Sequence, residues 1–183
     1  VRFAYADPPY IGQAHRYPEK EEVDHQALIA TLEEYDAWAL SASSPSLFTI
    51  LPMCPEGTRI AAWIKPFAIF KPNVNPAYAW EPILFKGARK RSRSEPTVRD
   101  WVSSNITLKK GLVGVKPHNF SRWIFDLMGL TPDDELHDLF PGSGAVTQAW
   151  VGWCVDKSNR QIPMDLELLR EGGWNVNNGG GKW

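Results

Sequence analysis

A carboxylate followed at once by two prolines, Asp7-Pro8-Pro9, closes the apolar run Phe3-Ala4-Tyr5-Ala6 and limits the folds open to this chain. The run is short and free of turn residues, the pattern of a strand buried on both faces of a parallel sheet. Asp7 then falls at the carboxyl end of a strand, where open α/β sheets hold their ligands. Pro8 and Pro9 fix φ and remove two backbone donors, so the chain leaves the sheet along one stiff, extended path with carbonyls free to accept. Tyr10 adds an aromatic face. An anionic acceptor, bare carbonyls and a flat ring together suit a planar group that carries an amine. The plain alternative is a strand ending in a proline turn, yet this tetrapeptide arises by chance only about once in a thousand chains of this length.

A second constellation lies far downstream. Glu135 to Leu139 reads as a strand and Ala145 to Val155 as a helix, joined by Phe140-Pro141-Gly142-Ser143-Gly144. Gly142 and Gly144 let backbone approach a bound molecule closely, and the helix amino end offers free N–H groups to a polar ligand. Such a turn suits a nucleotide-like ligand, but without GKS or GKT it is not a phosphate-binding P-loop. Upstream, Lys116-Pro117 opens a helix with the apolar face Phe120, Trp123, Ile124, Leu127 and Met128, stopped by Gly129.

Asp7-Pro8-Pro9-Tyr10 resembles the catalytic motif of the amino-methyltransferases that modify exocyclic amines of nucleic-acid bases. Asp138-Leu139-Phe140-Pro141-Gly142-Ser143-Gly144 resembles the S-adenosylmethionine motif of the same family, and Lys116-Pro117 another of its signatures. Catalytic motif first and cofactor motif last is similar to the permuted β-type order, and the resemblance covers roughly residues 1 to 156. It implies an α/β, Rossmann-like methyltransferase fold of the doubly wound type, with a mostly parallel, reduced sheet.

The activity it implies is transfer of a methyl group from S-adenosylmethionine to the N6 amine of adenine in DNA. Asp7, Pro8, Pro9 and Tyr10 would be catalytic: the Asp7 carboxylate and the Pro8 carbonyl accept the amine hydrogens of a flipped base stacked on Tyr10. Lys116, Pro117, Asp138, Phe140, Gly142, Ser143 and Gly144 would hold the cofactor. Trp63-Ile64-Lys65 and Trp80-Glu81-Pro82 would wall the target pocket. The family tends to use Ser in place of Asp for cytosine, which favours adenine here. Cytosine N4 and RNA are the alternatives within the class, and a noncatalytic nucleic-acid-binding relic is the alternative outside it. One departure bears on the relic: the acid that the family uses to hold the cofactor ribose has no clean match. Asp165, after Gln161-Ile162-Pro163-Met164, is the candidate, although Pro163 suits a central strand poorly.

The chain of 183 residues, 43% of them hydrophobic, suffices for a single core. One methyltransferase domain is expected over 1–171, with a small target-recognition insert at 86–112 and a Gly/Asn-rich tail at 172–183. A net charge of −1 makes the whole molecule no polycation, so attraction to nucleic acid must be local. Lys86 to Arg99 is the strongly basic stretch, and Arg89, Lys90, Arg91 and Arg93 are its candidate phosphate contacts, with Lys109 and Lys110 following. A solvated loop is the plain reading of the same run. Cys54 and Cys154 have no metal-ligand spacing, the four histidines show none either, and no metal is expected. With no long apolar run and no signal-peptide pattern, the expectation is a cytoplasmic protein without membrane contact.

In chain order, Ile11 to Tyr17 reads as a surface loop, with a lid over a bound base as the alternative, and Asp24 as the N-cap of a helix carrying Leu28, Leu32 and Tyr35 on one face and ending at Asp36. Trp38 to Ser43 reads as the next parallel strand, Pro45 to Leu51 as a short helix, and Arg59 to Lys65 and Ala79 to Phe85 as strands joined by a proline-rich loop.

Overall fold

The apolar run at the start of the chain does become a buried strand, β1 (Arg2–Ala6), whose last four residues are buried. It pairs in parallel with β2 (Ala37–Ser41) on one side and with β6 (Glu135–Asp138) on the other. The computed structural model describes residues 1–17, 20–67, 72–107 and 115–160. Lys109, Lys110, Asp165 and the expected tail lie outside them. The remaining strands are β3 (Arg59–Ile64), β4 (Trp80–Lys86) and β5 (Trp101–Ser103), and the sheet order is β5-β3-β4-β2-β1-β6. Of the six, β4 alone runs backwards, antiparallel to both β2 and β3, while β5 lies parallel to β3.

Helices cover both faces. On one, α1 (His25–Leu32) sends Leu28, Ile29 and Leu32 against Ala4, Ala6, Trp38 and Leu40, and the short α2 (Leu47–Ile50) adds Ile50. On the other, α3 (His118–Met128) and α4 (Ala145–Arg160) pack Phe120, Ile124, Phe125 and Trp153 against Phe3, Tyr5, Ala39 and Phe85. Burying a side chain of this size contributes roughly 1.5–3 kcal/mol, so each helix is held by a few such contacts rather than by propensity.

The helix signals work locally. Asp24 accepts from the Ala27 N–H at 3.0 Å, and Gly129 takes the left-handed φ of 69° that closes α3. Two helix ends differ from expectation by more than two residues. α1 stops at Leu32, short of Asp36, because Asp36 is recruited to the sheet: its carboxylate accepts from the Arg2 N–H at 2.7 Å, and its own N–H donates to the Arg2 carbonyl. α4 continues past Val155 to Arg160, tied to α3 by Arg122–Asp156 at 2.8 Å and Lys157–Asp126 at 2.9 Å. Among the described residues no helix is long and apolar enough to cross a membrane.

Candidate active site

Asp7 emerges where β1 ends, and its Oδ1 lies 2.8 Å from the ammonium of Lys116. Lys116 comes from the opposite direction, immediately ahead of Pro117, which caps α3. The side chain of Lys116 is only 4% exposed and that of Asp7 19%, so the pair is largely out of water. Lys116 Nζ also stands 3.4 Å from both the Tyr10 hydroxyl and Glu81 Oε2. Tyr10 donates its hydroxyl to Glu81 Oε2 at 2.6 Å, and Lys65 pairs with the other oxygen of Glu81. Trp63 forms the floor, its ring centroid 5.5 Å from Lys116 Nζ and 4.8 Å from Lys65 Nζ.

The result is a closed set of two carboxylates and two ammoniums around one phenol. Burial pushes the Asp7 carboxyl above its ordinary range, with Lys116 opposing, whereas Glu81, also buried, is held below its range because Lys116 and Lys65 outweigh the burial. Burial alone would lower Lys116, but Asp7, Tyr10 and Glu81 raise it well above the usual lysine value and keep it charged. Tyr10 is raised well above its ordinary value, first by burial, and stays a phenol that donates to Glu81.

The glycine turn sits on the next strand. Leu139 N–H donates to the Tyr5 carbonyl at 2.9 Å, so the carboxyl ends of β1 and β6 are stitched side by side. Asp138 is half buried there, its carboxyl raised by burial and steadied by the Phe140 N–H and the Thr147 hydroxyl. Its Oδ1 is buried with no hydrogen-bond partner, which is costly unless something else donates to it. Gly142 and Gly144 take φ of 46° and 72°, and a Cβ on either would meet nothing closer than 3.9 Å. An orphaned acceptor beside a turn of bare backbone with open space in front of it fits a ligand that carries hydroxyl or amine donors.

Of the sequence-derived site residues, Asp7, Pro8, Pro9 and Tyr10 form one turn, and Asp138, Phe140, Gly142, Ser143 and Gly144 form its neighbour. Lys116, expected with the cofactor, has its ammonium on Asp7, and Pro117 follows it as the N-cap of α3. Glu81 reaches Tyr10 directly, and Lys65 and Trp63 join the same cluster through Glu81 and Lys116, while Ile64 and Trp80 lie on the exposed face at 38% and 39%. Motifs did not show the roles of Glu81, which fixes Tyr10 and offsets Lys116, and of Lys65, which pairs with Glu81. Charged residues inside otherwise apolar strand patterns were the available signal.

The basic stretch goes elsewhere. Because β4 runs backwards, its last residue, Lys86, emerges at the edge where the parallel strands begin, away from Asp7. Arg89 is fastened there by two bonds to Asp134, at 2.9 and 3.0 Å, and one to the Gly129 carbonyl at 2.7 Å. Arg91 donates to the Asp126 carbonyl, while Lys90 and Arg93 are exposed. Cys54 and Cys154 are free thiols, and among the described residues no cluster of three or more His, Cys, Asp or Glu could hold a metal ion.

No protein-family model matches the chain, and no curated protein matches it significantly in sequence. Solved structures do. The crystal structure of the M1.HpyAVI–SAM complex is similar with a TM-score of 0.60 and 18% identity, over 84% of this chain and 78% of that one. The crystal structure of M1.HpyAVI is similar with a TM-score of 0.56 and 19% identity, over 84% and 77%. The six-stranded, mostly parallel α/β sheet of this chain is a methyltransferase-like fold.

Proposed function

We propose that this chain transfers a methyl group from S-adenosylmethionine to the exocyclic N6 amine of adenine in DNA. The observation that carries the reading is the adjacency of two turns, Asp7 to Tyr10 and Asp138 to Gly144, on the neighbouring strands β1 and β6. The likeness in fold to a structure that holds SAM supports the same cofactor. When bound, S-adenosylmethionine supplies an electrophilic methyl group. Asp138, Phe140, Gly142, Ser143 and Gly144 would hold it, with Asp138 Oδ1 as a ready acceptor.

The chain's own residues do the rest. Lys116 occupies one oxygen of Asp7 and leaves the other to accept from the target amine. The Pro8 carbonyl is the second acceptor, since no donor in the proline turn competes for it. Two acceptors in fixed positions orient the nitrogen lone pair, and the carboxylate opposes the positive charge that grows on that nitrogen. A carboxyl already raised by burial is suited to take the proton that the amine gives up. Tyr10, locked by Glu81, offers its ring to the flipped base, whose extrusion costs roughly a few kcal/mol. Lys90 and Arg93, with Arg89 and Arg91, remain the proposed backbone contacts, at the edge remote from the target base.

The test is incubation with methyl-labelled S-adenosylmethionine and mixed-sequence DNA, followed by nucleoside analysis of the digest. Label in N6-methyldeoxyadenosine, absent with Asp7→Ala, is the expected result. Label in N4-methyldeoxycytidine would move the target base, and a digest without label would overturn the reading.

A further inference from the structure

Behind the sheet, at the edge opposite Asp7, Arg59, Arg89, Lys90, Arg91 and Arg99 line one cleft of about 640 Å³, with Asp100 as the carboxylate among them. Asp134 and Glu95 offset part of the charge of Arg89 and Arg91, but Arg59, Lys90 and Arg99 against Asp100 still leave a positive surplus in a chain whose net charge is −1. The guanidinium of Arg59 lies over the Phe85 ring at 5.2 Å and that of Arg99 over Trp101 at 5.1 Å. Stacking of this kind holds the planar forks open, in the form that matches phosphate oxygens. Arg89 and Arg91 already spend donors on Asp134 and on the Asp126 carbonyl. The side chains of Arg59, Lys90 and Arg99 are exposed and donate no hydrogen bond among the described residues.

We infer that this cleft is a second nucleic-acid site, binding backbone phosphates of a stretch other than the one that presents the target base. The inference rests on the nucleic-acid reading above and extends it. Separation follows from topology: the cleft lies at the amino ends of the parallel strands and the catalytic turn at their carboxyl ends. The five residues of β1 alone span roughly 17 Å between the two. A straight duplex laid across the catalytic edge runs over the strand ends, with the cleft a strand length behind it. A flanking arm or a second segment is what reaches it. Guanidinium forks stacked on rings favour phosphate over scattered carboxylates, and the exposed Trp101 offers a base a face to stack on.

The full chain carrying Arg59→Ser and Arg99→Ser tests this, because both side chains are exposed and neither holds α3 in place. Affinity for a long duplex is titrated by fluorescence anisotropy between low and moderate salt. The slope of log affinity against log salt should fall by roughly 0.9 for each phosphate that the variant no longer neutralises. Methyl transfer to a short duplex should keep kcat/KM within about twofold, since the catalytic edge is untouched. An unchanged slope would overturn the inference. So would a drop of kcat/KM on the short duplex equal to the drop of affinity for the long one, which would place the cleft in the catalytic interface. Polyglutamate that fills the wild-type cleft where duplex does not would also overturn it, in favour of an acidic protein. A wild type that binds the long duplex with steep salt dependence, lowered in the double variant, yet transfers no methyl group would support the cleft and sink the enzymatic reading.

Discussion

Both edges of the sheet carry cations, but they are set in opposite circumstances. At the carboxyl edge, Lys116 and Lys65 are largely buried and matched to Asp7 and Glu81, so the positive charge is consumed in fixing acidic groups. At the amino edge, Arg59, Lys90 and Arg99 are exposed and face a single carboxylate, so the charge is left over for something else. Buried pairs position chemistry and tolerate little change, whereas exposed surplus charge steers and holds a polyanion and yields to salt. A single run of basic residues can belong to either class, and the sheet decides which.

The largest effect is expected at Asp7. Asp7→Ala should reduce methyl transfer by roughly 100- to 1000-fold, the scale of losing one preorganised charged group, while cofactor affinity stays within a few fold. Single-turnover transfer with labelled cofactor measures it. Retained turnover would show that the carboxylate is part of the ion network and nothing more.

Lys116→Met comes next. It removes the cation between two buried carboxylates and should destabilise the fold by roughly 3–5 kcal/mol in urea unfolding at neutral pH. With Lys116 gone, the burial that raises Asp7 is opposed only by the smaller pull of Lys65, so the acid limb of the pH–rate profile should move to higher pH. Stability gives an independent sign. Lys116 ionises at higher pH folded than unfolded, so its contribution is complete below the ordinary lysine value and is lost as pH climbs through the raised one. Wild type should show that alkaline loss on top of the one that the buried phenols Tyr5 and Tyr10 impose on both proteins.

A smaller effect is expected at the other edge. Asp134 accepts from Arg89, from the Thr131 N–H and from the Thr131 hydroxyl, and although burial works the other way these hold its carboxyl well below the usual range. Its contribution is therefore present above the ordinary carboxylate value and lost as pH falls through the lowered one. Asp134→Asn should cost about 1–3 kcal/mol at neutral pH and leave methyl transfer unchanged. Loss of transfer would mean that the two edges are coupled.

Much of this was legible in the sequence where a rule is local. The Asp24 cap, the Gly129 stop, the apolar face of α3 and the strand-to-turn passage at Ala6-Asp7 all follow from a few neighbouring residues. What was not legible depends on direction. A strand read from composition has no sense of up or down, so the reversal of β4 was not drawn from the pattern. Yet the proline-rich stretch before it offers no helical crossover, and without one two neighbouring strands pair antiparallel. That reversal carries Lys86 and the basic run to the far edge and separates Arg89 to Arg93 from Asp7. The meeting of Lys116 with Asp7 was hidden for a related reason: the motif that contains Lys116 was read as a cofactor signature, and only the start of α3 at the carboxyl edge puts its ammonium beside the acid.

The proposed function requires S-adenosylmethionine in the glycine turn beside β1. Gly142 has a φ of 46° and open space before it, so Gly142→Val should cost about 1–2 kcal/mol in backbone strain and leave the fold cooperative while its side chain fills that space. Calorimetric titration of S-adenosylmethionine into the wild type and this variant should give one binding site in the first and none in the second. Equal binding by both, or no binding by the wild type, would contradict the account.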